Sequence, residues 1–229
     1  MTRQHRLVAV TAIVSALALA GPSLVAQQDD PPPMGFFVTS VGLGDGANLG
    51  GLAGADAHCQ SLAEAAGSGN RRWRAYLSTQ GPNAVDARDR IGDGPWYNYS
   101  GDVIAQNVDD LHSGNAHLTK ESILTQNGDM VNGRGDSPNM HDILTGSNLD
   151  GTVSTAEGHD ACANWTSNGE GSAAVGHHDR QGGGQNPTSW NSAHGSRGCS
   201  QSDLQGTGGD GLYYCFAIDA NQQEAFRDE

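Results

Sequence analysis

Four cysteines constrain this chain more than any other feature of its sequence. They are Cys59, Cys162, Cys199 and Cys215, and no two of them have the short spacing, such as C-x2-C, that a cysteine zinc site needs. We therefore expect two disulfides, which form and persist in oxidising compartments. Four cysteines allow three pairings, and composition alone does not choose among them.

The start of the chain has the layout of an export signal. Arg3 and Arg6 precede an almost unbroken apolar run over residues 7–20, and small-residue cleavage points follow it. This layout predicts a secretory signal peptide over residues 1–26. Residues 27–34 contain three successive prolines and predict an extended linker. We therefore expect a secreted, periplasmic or extracellular protein that does not insert into a membrane.

The acidic charge of the chain disfavours polyanionic partners. The formal net charge is −14, with 26 acidic residues against 12 lysines and arginines. Nucleic acids attract clustered basic residues, and Lys120 is the only lysine. Nucleic acid, heparin and anionic membranes are therefore poor partners. An acidic surface suits a cation, or a neutral ligand that is recognised through hydrogen bonds.

Hydrophobic periodicity and turn residues predict a short series of elements. The predicted strands are residues 36–41, 74–78, 162–165, 188–190 and 212–218. The predicted helices are residues 56–66, with Cys59 on the buried face, and residues 102–112. Residues 127–211 are rich in Gly, Asn, Asp and Ser, yet they hold two cysteines and two tryptophans. This composition favours a folded long-loop region. Residues 220–229 are predicted to form a polar tail.

Several short segments follow the motifs of one known family. They are Gly54-Ala55-Asp56-Ala57-His58-Cys59, Arg74-Ala75-Tyr76-Leu77-Ser78, Gly146-Ser147-Asn148-Leu149-Asp150-Gly151 before Cys162-Ala163-Asn164-Trp165, and Tyr214-Cys215-Phe216-Ala217-Ile218. Through these motifs the chain resembles the endostatin-like (collagenase NC10/endostatin) branch of the C-type-lectin-like domains, in a bacterial secreted form. The resemblance covers residues 35–219 and is dense only at these segments.

The resemblance implies an α+β fold with two helices, an antiparallel sheet and a long Gly/Asn/Asp-rich loop region. It also implies that Cys59 pairs with Cys215 and Cys162 with Cys199. By fold analogy the ligand site lies in loop residues 127–195, and a carbohydrate is the first ligand to expect. In the place of the family's Trp-Asn-Asp motif stand Trp190 and Asn191, which are therefore candidate ligand-binding residues.

Calcium is the candidate cofactor, because it takes six to eight oxygen ligands from flexible loops. Residues 127–151 offer several aspartates and asparagines among glycines. From this loop we take Asn148 and Asp150 as candidate calcium ligands. Asp, Asn and Gly are also ordinary loop formers, which is the alternative explanation of the same pattern.

Two other functions remain open alongside carbohydrate binding. Arg134-Gly135-Asp136 matches the integrin-recognition string, so Asp136 is a candidate contact of an adhesin that binds an extracellular protein. His141-Asp142, His159-Asp160 and His177-His178-Asp179 offer metal-binding or acid–base groups and suggest a hydrolase as the third alternative. The chain has neither a His-Glu-x-x-His motif nor a Gly-x-Ser-x-Gly motif. We therefore expect a non-enzymatic binding module without catalytic residues.

Overall fold

A computed structural model of the protein describes residues 31–114, 117–156, 158–159 and 161–219. The predicted signal peptide, residues 27–30 of the predicted linker and the predicted polar tail lie outside these residues. Within the described ranges, no helix has both the length and the apolar character needed to cross a membrane.

The described residues form a mixed α+β structure. Its helices are α1 (Gly51–Ala65), α2 (Val108–Leu111), α3 (Ala161–Trp165) and α4 (Gln201–Thr207), with a 3-10 turn at Ala87–Asp89. Its strands are β1 (Phe36–Val38), β2 (Trp73–Ala75), β3 (Trp96–Tyr97), β4 (Val103–Ala105), β5 (Asp142–Leu144), β6 (Ala174–His177), β7 (His194–Gly195) and β8 (Gly209–Ala217). The described helices therefore outnumber the two that were expected, and two of them belong to the long-loop region.

The main sheet is built around β8. Its strand order is β1-β8-β5-β6-β7, and β2 also pairs with β8, while β3 and β4 form a separate hairpin. Strands β5 and β8 run parallel, whereas the other pairs of the main sheet are antiparallel. The predicted antiparallel sheet therefore also contains one parallel pair. A parallel pair needs a long crossover connection, and the loop region between β5 and β8 supplies it.

Strand β8 is buried on both faces, which explains its nearly continuous apolar sequence. Alternate residues Tyr213, Cys215 and Ala217 join a core beneath α1, where Ala55 and Cys59 are fully buried. The intervening residues of β8 join a second core with Trp96 and the hairpin β3–β4. This two-sided burial makes β8 the strand on which both halves of the core depend.

The sequence predictions of the outer elements need correction. Residues 188–190 form no strand, and residues 162–165 belong to α3, where the backbone is left-handed with φ between 49° and 68°. The predicted helix over residues 102–112 is instead strand β4 followed by the short helix α2. The apolar residues of this segment thus belong to two different elements. A single helical periodicity therefore does not describe them.

Both disulfides have the pairing that the resemblance implies. Cys59 of α1 bonds to Cys215 of β8, and Cys162 of α3 bonds to Cys199 just before α4. The first disulfide ties α1 to the central strand. The second closes a loop of 37 residues within the long-loop region. Two disulfides indicate folding in an oxidising environment such as the exterior of the cell.

Candidate functional site

Three neighbouring strands bring histidines and an aspartate together at one side of the main sheet. Asp142 begins β5 and lies directly opposite His177, the last residue of β6. His194 begins β7 opposite Val175, which lies two residues before His177 and therefore on the same face of β6. His141 precedes β5. We call His141, Asp142, His177 and His194 the His–Asp cluster.

The ring nitrogens of the His–Asp cluster converge on one carboxylate oxygen. Asp142 Oδ1 lies 3.2 Å from His141 Nε2, 3.3 Å from His177 Nε2 and 3.7 Å from His194 Nε2. The Nε2 atoms of His177 and His194 are 3.0 Å apart. One ligand atom each from His141, Asp142 and His177 lie within 4.8 Å of one another.

The other nitrogen of each clustered ring faces an oxygen acceptor. Nδ1 of His141 lies 3.3 Å from Asp179 Oδ1, Nδ1 of His177 lies 2.8 Å from the Pro187 carbonyl oxygen, and Nδ1 of His194 lies 3.1 Å from the Gly195 carbonyl oxygen. Carbonyl and carboxylate oxygens only accept hydrogen bonds, so this network assigns a proton to each Nδ1. In the neutral rings, the lone pair of each Nε2 then faces the centre of the cluster.

Asp142 is buried and unsatisfied. Its side chain is 2% exposed, and neither carboxylate oxygen accepts a hydrogen bond from the part of the chain that the structure describes. Burying a carboxylate without a partner is costly. A positive charge at the centre of the cluster, on a protonated histidine or on a metal ion, would compensate Asp142.

The neighbouring ionisable groups respond to burial and to one another. Burial lowers the pKa of His177, but the Asp142 carboxylate and the Pro187 carbonyl outweigh it, and the net pKa is raised. Burial alone raises the pKa of Asp179, yet hydrogen bonds from His141 and from the backbone N–H of Arg134 hold that pKa well below its ordinary value. Asp179 therefore remains a carboxylate that fixes the ring of His141.

His178 belongs to the core rather than to the cluster. It is fully buried, and its Nε2 donates a hydrogen bond of 3.1 Å to the carbonyl oxygen of Asn132. Burial is the main reason that its pKa is lowered. His178 is therefore held as a neutral ring.

A polar cleft adjoins the His–Asp cluster. Two pockets of about 370 and about 460 Å3 share Leu149, Gln185 and Asn186 as lining residues. Residues 148–156 and 185–194 supply most of their lining, and residues 112–114 line the larger one. We call this pair of pockets the loop cleft. His194 lines the smaller pocket, so this one side chain belongs to both the cleft and the cluster.

The predicted calcium ligands lie in the loop cleft and not in the His–Asp cluster. Both Asn148 and Asp150 line the smaller pocket. The Asn148 amide donates to the Val153 carbonyl, and Asp150 Oδ1 accepts from the Thr152 hydroxyl and backbone N–H. These bonds stabilise the loop itself, and calcium binding at Asn148 and Asp150 stays a prediction.

Of the predicted ligand-binding residues, Trp190 and Asn191 are buried. Trp190 is 4% exposed and packs against Tyr76 and Tyr214. The Asn191 amide donates to the Tyr76 hydroxyl and to the Asn148 carbonyl, which ties the two walls of the loop cleft together. Both residues shape the cleft from beneath, and little of either side chain is free for a ligand.

The Arg134-Gly135-Asp136 string is exposed, as an adhesion motif requires. Its carboxylate is already engaged, because Asp136 Oδ2 accepts from Lys120 Nζ and from the Gly133 backbone N–H. Asp136 lies apart from the loop cleft, and its role as an adhesin contact stays a prediction.

Only some of the His-Asp segments identified from the sequence lie close together in the structure. His141-Asp142 and His177 meet in the His–Asp cluster, whereas His159 lines the loop cleft and Asp160 lies outside the described residues. Sequence reasoning missed His194. The position of His194 in the cluster depends on the register of β6 with β7. Because β7 has only two residues, its sequence has no periodicity from which this register could be predicted.

Comparison with known proteins assigns no family. A scan against protein-family models gives no match. A search of the curated proteins also finds no relative.

Proposed function

We propose that this chain is an exported, non-enzymatic binding module of the C-type-lectin-like type, and that it binds a carbohydrate in the loop cleft. The observation that carries the proposal is the cleft itself, which has the size of a small-molecule site. Most of its lining comes from two segments of the long-loop region, and residues 112–114 complete the larger pocket. The proposed ligand site therefore falls where the family resemblance predicts one.

The disulfides and the helix–strand opening support the fold part of this proposal. The pairing of Cys59 with Cys215 and of Cys162 with Cys199 is the nested pairing of C-type-lectin-like domains. Helix α1 and strand β2, which carry the two N-terminal motifs, pack on each other. The long-loop region between β5 and β8 holds the second disulfide, as the resemblance implies.

The lining of the loop cleft suits a ligand rich in hydroxyl groups. Side-chain amides and hydroxyls of Asn148, Ser154, Gln185 and Asn186 offer neutral donors and acceptors. Leu149 is 51% exposed and offers an apolar contact for the C–H face of a sugar ring. The net charge of −14 disfavours a polyanionic glycan.

A glycan-array experiment on the exported protein tests the proposal. We expect binding of a neutral glycan, and a loss of at least about tenfold in affinity for Leu149→Ala and for Gln185→Ala, since about 1.4 kcal/mol corresponds to tenfold. Both side chains are exposed, so their truncation leaves the core intact. The matched controls are Leu43→Ala and Gln106→Ala, which are exposed and lie outside the loop cleft.

The same array, run with and without calcium, separates the possible outcomes. Binding that needs calcium supports Asn148 and Asp150 as ligands, and binding without calcium keeps the carbohydrate and removes the calcium. No binding under either condition overturns the carbohydrate proposal. Cell adhesion that is lost in Asp136→Glu would then favour the adhesin alternative.

A further inference from the structure

We propose that the His–Asp cluster binds one zinc ion, with His141, Asp142, His177 and His194 as the ligands. The inference rests on the geometry of the cluster and is independent of carbohydrate binding. It also differs from the calcium site predicted at Asn148 and Asp150.

The cluster brings a carboxylate and several imidazole lone pairs together, and within the described residues no Lys or Arg nitrogen lies within 4.0 Å of Asp142. Nε2 of His177 and Nε2 of His194 are 3.0 Å apart, and the assigned tautomers give each of them a lone pair. Asp142 Oδ1 adds a negative charge at 3.3 Å and 3.7 Å from the same two nitrogens. A single proton satisfies one such contact and leaves the others unsatisfied. A cation at the centre satisfies all of them at once.

The spacing of the ligand atoms in the cluster also suits a zinc ion. Zinc bonds to histidine nitrogen and to carboxylate oxygen at about 2.0–2.2 Å in a tetrahedron, which sets neighbouring ligand atoms about 3.3–3.5 Å apart. Four of the six separations in the cluster run from 3.0 to 3.7 Å, and one ligand atom each from His141, Asp142 and His177 lie within 4.8 Å of one another. The side chains of His141, Asp142 and His177 therefore stand close to three positions of a tetrahedral ion, and His194, whose Nε2 lies 3.0 Å from that of His177, is the candidate for the fourth.

The second nitrogen of each histidine ring is held as it is in known zinc sites. Zinc-bound histidines usually donate their second ring N–H to a carboxylate or a backbone carbonyl, which fixes the tautomer and the ring. Here Asp179 supports His141, the Pro187 carbonyl supports His177 and the Gly195 carbonyl supports His194. All three rings are therefore held with Nε2 available to a metal.

The set of donors selects the kind of metal. Three imidazoles and one carboxylate suit zinc, whereas calcium and magnesium prefer oxygen ligands alone. Both disulfides occupy all four cysteines, so no thiolate competes for the ion. Four protein ligands fill a tetrahedral sphere, which is the arrangement of a structural zinc site.

The position of the ion indicates what it stabilises. The ligands come from the ends of β5, β6 and β7, and the loop from His178 to Ala193 runs between two of them. That loop carries Gln185 and Asn186 of the loop cleft. The side chain of His194 is 25% exposed, which gives the ion an entry path from the cleft. Zinc at this point would fix one wall of the loop cleft.

Metal titration of the tag-free exported protein with intact disulfides tests the proposal. After removal of metal with a chelator, we expect one zinc ion per chain, a thermal midpoint raised by several degrees with zinc, and the strong visible absorption of tetrahedral cobalt when Co2+ replaces zinc. Asp142→Asn and His194→Ala should each weaken zinc binding by at least ~100-fold, because each removes one of four ligands.

Matched variants keep the result interpretable. Asp89→Asn changes an exposed residue and His58→Ala a partly buried one, both outside the cluster, and both variants should bind zinc as the unmodified protein does. Should Asp142→Asn fail to fold, the partly exposed His194→Ala still carries the test. A protein that binds no zinc in a one-to-one ratio, or variants that bind it unchanged, would overturn the proposal.

Discussion

Asp56 joins a helix, a strand and a buried arginine through one carboxylate. It accepts hydrogen bonds from the backbone N–H of Ala75 at 2.9 Å and from Arg90 Nη2 at 2.7 and 2.8 Å. Arg90 is 7% exposed and also donates to the Ala75 carbonyl oxygen. Burial lowers the pKa of Arg90, and Asp56 opposes that effect.

These contacts give the Gly-Ala-Asp motif a structural meaning. A Cβ atom on Gly54 would lie 2.1 Å from the Leu49 carbonyl oxygen, so only glycine fits there. Ala55 is fully buried, and Asp56 anchors β2 and Arg90. The residues that carry the family resemblance at this point build the fold. They say nothing about the ligand.

Asp56→Ala should lower the free energy of unfolding by about 3 kcal/mol, because it leaves the buried Arg90 without its counter-ion. Urea denaturation followed by tryptophan fluorescence measures the loss. Asp89→Ala removes the same charge from an exposed position of the 3-10 turn and should cost less than about 0.5 kcal/mol. Equal losses in the two variants would show that the ion pair of Asp56 with Arg90 does not stabilise the fold.

Among the strands and helices, those with one clear periodicity were predictable from the sequence. The spacing of Cys59 and Ala63 identified the buried face of α1, and the apolar run of residues 212–218 identified β8. α1 begins five residues earlier than predicted, at Gly51. The left-handed turn at α3 was missed, because the backbone conformation of Ala163 or Asn164 depends on tertiary contacts.

The candidate sites were predictable only in part. His141-Asp142 and His177 were recognised as metal-binding material from their residue types. Their convergence with His194 depends on the pairing of β5, β6 and β7, whose strands have between two and four residues. In strands this short, the register is determined by long-range contacts and not by the local sequence. The sequence thus predicted the chemistry of the residues but not their assembly.

At the scale of single elements, β6 depends on a glycine in its interior. A Cβ atom on Gly176 would lie 1.8 Å from the carbonyl oxygen of Trp190 and 2.4 Å from the backbone nitrogen of Asn191. The loop that carries Trp190 therefore lies directly against the backbone of β6. This contact sets the distance between the loop cleft and the sheet.

Gly176→Ala should destabilise the protein by about 3 kcal/mol, because the new methyl group meets backbone atoms that have no room to move. Thermal unfolding followed by circular dichroism measures the loss. Gly183→Ala is the matched control, since no atom lies within 4 Å of a Cβ built there. An unchanged midpoint in Gly176→Ala would mean that the 185–194 segment shifts freely, and would contradict the packing described for Trp190.

The whole molecule combines a modest apolar content with a large number of loop residues. Hydrophobic residues make up 36% of the chain, and the chain contains 33 glycines, each of which loses more backbone entropy on folding than other residues do. The two disulfides close loops of 156 and 37 residues. Chain-entropy arguments assign them about 5 and about 4 kcal/mol of stabilisation, respectively. Either value is a large share of the stability of an ordinary domain.

The two disulfides should therefore differ in what their loss does to the molecule. Cys59 and Cys215 are fully buried in the core where α1 meets β8, so the double variant to alanine should lose about 5 kcal/mol and unfold at 37 °C. The double variant of Cys162 and Cys199 should lose about 4 kcal/mol and keep the main sheet, because that disulfide joins two segments of the long-loop region. Urea denaturation without reductant, followed by far-UV circular dichroism, measures both losses. A larger loss from the second pair would mean that the long-loop region, rather than the junction of α1 and β8, limits the stability of the molecule.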